Sequence, residues 1–103
     1  MRWIVAALFL SLSTVTIAKQ ASLNFNRVKI DRFITTVAEI TGKNFIVDPR
    51  IRGRVTLFTP TDMDPDEVYQ VFLTVLDVHG YSAVEIGKAI KIIPTRKARQ
   101  QAI

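Results

Sequence analysis

The 103-residue chain contains no cysteine. That excludes a disulfide framework, a thiolate metal site and a lipid-modified N-terminal cysteine. It leaves the compartment open, although it agrees with an oxidising one. Histidine occurs once, as His79, near the end of a helical pattern. Four glycines are present, and none builds a Gly-rich phosphate loop. No serine stands in a nucleophile-elbow motif. The segment Asp62-Met63-Asp64-Pro65-Asp66 opens like a calcium loop, but Glu67 replaces the glycine at its sixth position and Leu73 the glutamate at its twelfth. Capping of a helix accounts for these acids better. No catalytic residue, cofactor or metal is therefore expected.

Acids are also scarce, nine against fourteen Lys and Arg, for a net charge of +5. The apolar fraction of 49% argues against disorder, and the length suits one small domain. Met1-Arg2 is a basic start, and Trp3 to Leu12 is an apolar run of about ten residues, the size of a signal-peptide core. A membrane-spanning helix would need about 20. Thr16-Ile17-Ala18 places small residues where a signal peptidase reads, so residues 1–18 are expected to be cleaved before Lys19. Export counts against a nucleic-acid partner.

Ala21 to Val28 alternates, with Leu23 and Phe25 on one face and Asn24 and Asn26 on the other, and reads as a half-buried strand. Ile30, Phe33, Ile34, Val37 and Ile40 form the apolar stripe of a helix, with Gly42 as its left-handed C-cap. Its start is weakly signalled, because Val28 and Lys29 are poor caps. Asn44 to Asp48 and Arg54 to Thr59 read as two short strands joined by a basic turn, a central strand pair stopped by Pro49 and loosened at Gly53. In the second of these, Val55 and Leu57 share one face and Arg54, Thr56 and Phe58 the other. Asp64, Pro65, Asp66 and Glu67 start a second helix, whose face carries Val68, Val71, Phe72, Val75, Leu76 and His79, widened by Tyr69 and Leu73. Gly80 ends it. Tyr81 to Ile86 and Ala89 to Ile93 flank Gly87-Lys88 as a hairpin with a type II′ turn. The order is β-α-β-β-α-β-β in one α+β domain over residues 19–95, and residues 96–103 look like the start of a linker.

Arg50, Arg52 and Arg54 form a basic cluster. A KH module would clamp a nucleic-acid backbone with a Gly-x-x-Gly loop, but the segment reads Arg50-Ile51-Arg52-Gly53 and lacks the glycine pair. A solvated turn or an electrostatic protein contact remains.

Val47-Asp48-Pro49-Arg50-Ile51-Arg52-Gly53-Arg54-Val55-Thr56 resembles the "DP-x-hydrophobic-x-G-x-V-T" signature of the secretins, outer-membrane channel subunits of bacterial secretion systems. Tyr69 to Tyr81 resembles the "YQ-x-FL-x-VL-x-x-x-GY" helix of their first periplasmic domain, in the type II branch. The resemblance covers Ala21 to Thr95. It implies two helices between a mixed three-stranded sheet and a two-stranded sheet. That fold is shared with the signalling domain of TonB-dependent receptors, the alternative reading. It also implies a non-catalytic periplasmic docking module of an outer-membrane protein. The partners would be the inner-membrane platform protein, general secretion pathway protein C, and secreted proteins. Ring formation would belong to the full secretin. The first strand opens the domain and is expected at a sheet edge, open to strand addition. Leu23, Asn24, Phe25 and Asn26, with Arg54 and Thr56 on the third strand, are the expected partner-binding residues.

Overall fold

The structure, a computed structural model, describes residues 20–96. The expected signal peptide, and the expected linker beyond Arg96, lie outside the described residues. The elements are β1 (Asn24–Lys29), α1 (Ile30–Thr41), β2 (Asn44–Val47), β3 (Arg54–Phe58), α2 (Pro65–Val78), β4 (Tyr81–Ile86) and β5 (Ala89–Pro94). β1 and β3 form an antiparallel two-stranded sheet. β5 is the centre of a mixed three-stranded sheet, with β2 parallel on one side and β4 antiparallel on the other.

The helices lie between these sheets, and four phenylalanine rings run through the layers. Phe25 of β1 meets Phe33 of α1 edge-on at 5.1 Å between centroids. Phe33 meets Phe72 of α2 at 5.7 Å, and Phe72 meets Phe45 of β2 at 5.0 Å. Phe33 and Phe72 are fully buried. The stripe expected on each helix faces this core: Ile30, Phe33, Ile34 and Val37 of α1, and Val68, Phe72, Val75 and Leu76 of α2. Tyr69, Val71 and Leu73 pack partly buried around it, which explains the wide apolar face of α2.

Local signals set the helix ends. The Asp64 carboxylate accepts the Glu67 N–H at 2.8 Å, and Pro65 is the first helical residue. Lys29 precedes α1 without a side-chain cap, as its residue type implies. A backbone bond replaces the cap: the Ile30 N–H donates to the Gly53 carbonyl at 3.0 Å. Gly42 adopts φ 69 and returns its N–H to the Ala38 carbonyl. Gly87, at φ 58, fits the first turn position of the β4–β5 hairpin.

Two expectations are corrected. β2 and β3 are not a strand pair, because each belongs to a different sheet. The Asp48 N–H donates to the Ile92 carbonyl, prolonging the β2–β5 ladder. Pro49 then has no N–H to offer, and the chain crosses to the other sheet. The first strand also starts later than Ala21, which makes only an isolated bridge to Met63. A bulge interrupts it: Asn26 and Arg27 together stand opposite Thr56, and Arg27 takes φ 52. The extra residue turns Val28 inward, where it packs on the core.

Candidate functional site

The outer face of the two-stranded sheet is the surface to which four of the six expected partner-binding residues belong. Its two ends differ. At one end Asn24 stands opposite Phe58, and both are exposed; Phe58 keeps 62% of its surface in solvent. At the other end Lys29 stands opposite Arg54. Between them lies the bulge. The Arg27 N–H donates to Thr56 Oγ1 at 3.1 Å, and Arg54 Nη1 donates to the Arg27 carbonyl at 2.9 Å. Both β3 side chains therefore hold the bulge of β1 in place, and both are exposed.

The six expected residues divide. Asn24, Asn26, Arg54 and Thr56 share this exposed face. Leu23 is 2% exposed, and its carbonyl accepts the Thr59 N–H at 2.8 Å while its own N–H donates to Thr59 Oγ1 at 2.7 Å. Its side chain is part of the core. The Phe25 side chain points inward to Phe33. Sequence reasoning left Phe58 and Arg27 out of that set. The signal for Phe58 was its place on the polar face of an alternating strand.

The backbone of β1 adds a second feature. Bonded and non-bonded residue pairs alternate along an antiparallel ladder. Leu23 and Thr59 are bonded, so Asn24, one step on, turns its N–H and C=O away from β3. Among the described residues no strand pairs with that side of β1.

The loop from Asp48 to Gly53 is fixed on every side. The Asp48 carboxylate accepts the Arg50 N–H at 2.8 Å and takes Arg50 Nε and Nη2 at 3.0 Å each, a two-pronged pair. That hydrogen bond, then the charge of Asp48, raises the Arg50 pKa above its ordinary value against an opposing desolvation. The Tyr81 hydroxyl donates to the Arg52 carbonyl at 2.7 Å and accepts its N–H at 3.2 Å. His79 sets Nδ1 against the Val75 carbonyl at 2.8 Å and Nε2 against the Arg54 carbonyl at 3.1 Å. His79 thus ties α2 to β3 and takes the bland structural role. The Asp, Gly and Val of the motif are here a turn anchor, a left-handed backbone position and a fully buried side chain. Asp48 is itself buried, so Asp48→Ala should cost about 1–3 kcal/mol. Chemical denaturation measures it.

No three His, Asp or Glu side chains are grouped to hold a metal ion among the described residues. A family model described as GspD-like, N0 domain matches residues 23–92. The secretin XcpQ of Pseudomonas aeruginosa is 37% identical over 81 residues, which cover 79% of this chain and 12% of XcpQ. The crystal structure of the N-terminal domain of that secretin matches with a TM-score of 0.73 and 37% identity, over 76% of this chain and 38% of that one. The GspC–GspD complex of the type II secretion system from enterotoxigenic Escherichia coli matches with a TM-score of 0.68 and 26% identity, over 75% of this chain and 57% of that one. The chain thus spans a small part of the curated relative's length. The match favours the secretin reading over the TonB-dependent receptor. Its motifs, its two sheets around two helices and the family match agree: the chain belongs to the GspD-like N0 domains of type II secretins.

Proposed function

We propose that this chain is a non-catalytic periplasmic docking module of an outer-membrane secretin, exported by a signal peptide over residues 1–18. It meets the inner-membrane platform protein, a GspC, and secreted proteins are its further partners. The observation that carries this is the side of β1 that no strand pairs with among the described residues, next to an exposed face with an aromatic residue. An unpaired strand edge offers backbone donors and acceptors to another strand. Asn24 and Asn26 are polar but uncharged, so they do not repel an incoming strand as lysines would. Phe58 supplies an anchor of the kind that dominates interface energetics. The matching GspC–GspD complex supports the choice of partner.

The test is a calorimetric titration of the chain with the periplasmic domain of the cognate GspC. Saturable binding is expected, and its absence with both proteins folded overturns the reading. Arg54→Glu should weaken binding severalfold, with a loss that shrinks at high salt.

A further inference from the structure

We infer that a second binding site, for an acidic extended segment of another protein, lies in the basic grooves between the bulged end of β1, the start of α1 and the Arg52–Arg54 segment. Two adjoining grooves of about 390 and 520 Å³ share Lys29, Asp31 and Arg54. Arg52 lines the first, and Arg27 and Arg32 the second. All five cations are exposed. The sequence grouped Arg50 with Arg52 and Arg54, but Arg50 is committed to Asp48. Folding replaces it with Arg27, Lys29 and Arg32.

None of these five side chains pairs with an acid among the described residues. The acid that lines both grooves, Asp31, turns an oxygen to the Arg32 backbone N–H at 3.0 Å. Lys29 and Arg54 stand directly opposite across the ladder, and like charges so placed repel. Arg54 relieves this only by donating to a neutral carbonyl, that of Arg27, which itself sits at φ 52. Local conflicts of this kind, with no ion pair to offset them among the described residues, are expected at functional surface. An incoming run of carboxylates removes the repulsion, and arginine forks match carboxylates in two-pronged geometry. The grooves are concave and run between elements, which suits a chain rather than a flat lipid surface. They lie beside the β1 edge and share Arg54 with its exposed face, but Arg32 and Arg52 belong to the grooves alone, so changes at those two residues separate the sites.

The test is fluorescence anisotropy on the full chain with a fluorescein-labelled peptide of alternating Glu and Ser, against the same peptide with Gln for Glu. The Glu peptide should bind, the Gln peptide should not, and rising salt should weaken the complex. The double variant Arg32→Gln, Arg52→Gln should weaken it about tenfold, with an unchanged thermal melt and unchanged GspC binding. Equal binding of both peptides, no binding of either, or full binding by the double variant overturns the inference. So does sedimentation with phosphatidylglycerol vesicles by a chain that ignores the Glu peptide, which assigns the grooves to lipid.

Discussion

Phe72→Ala should lower the melting temperature by roughly 15 °C or more. Truncating a buried phenylalanine costs about 3–5 kcal/mol, because transfer free energy is lost and a cavity is left. In a domain of this size each kcal/mol moves the midpoint by about 4–8 °C. Phe72 should fall at the severe end. It is fully buried and touches the rings of Phe33, Phe45 and Tyr69, at 5.7, 5.0 and 6.1 Å. The helix layer and the three-stranded sheet therefore lose contact through one change, and a site fixed by two helices and a strand collapses poorly. Val78→Ala is the control: Val78 is 78% exposed at the end of α2. Its midpoint should move by a few degrees at most. A shift of only a degree or two for Phe72→Ala would place the core elsewhere.

Gly53→Ala should cost about 1–3 kcal/mol through the backbone alone. Gly53 has φ 132, a conformation that side chains rarely adopt. Space is not the obstacle, since an added Cβ would meet only His79 Cδ2, at 4.0 Å. Relief would require the peptide to rotate, and the Gly53 carbonyl is what receives the first N–H of α1. Strain and loss of the α1 start are thus alternatives, and both destabilise. Gly42→Ala is the comparison. Gly42 at φ 69 lies in the ordinary left-handed region, where the cost is about 1 kcal/mol. Thermal denaturation of the pair should rank Gly53→Ala as the worse. The reverse order would mean that the loop from Asp48 to Gly53 gives way freely.

What the sequence made legible follows the range of each interaction. The helix faces, the Asp64 cap, the Gly42 C-cap and the β4–β5 hairpin depend on neighbours a few residues apart, and all are found. The separation of β2 from β3 is different. β2 pairs in parallel with Ala89 to Ile92, far along the chain, and nothing near Asn44 announces that partner. The bulge in β1 had a local trace: Phe25 and Val28 are three residues apart, an odd spacing that a regular strand cannot place on one face. The basic surface was half legible. Arg52 and Arg54 were visible as a cluster, whereas the Asp48–Arg50 pair and the approach of Arg27, Lys29 and Arg32 need the folded loop. For Leu23, alternation gives the inward face but not the closure by Thr59 that buries the side chain.

Docking through the side of β1 that faces away from β3 is the central claim, and Asn24→Pro tests it most directly. Asn24 is exposed and its N–H points away from β3, so proline removes one outward donor and spares the β1–β3 ladder. The measurement is calorimetric titration of the variant with the cognate GspC periplasmic domain, after circular dichroism has confirmed its fold. The expected result is an affinity at least tenfold weaker, about 1.4 kcal/mol. Unchanged affinity in a folded Asn24→Pro variant would move the docking site off this strand.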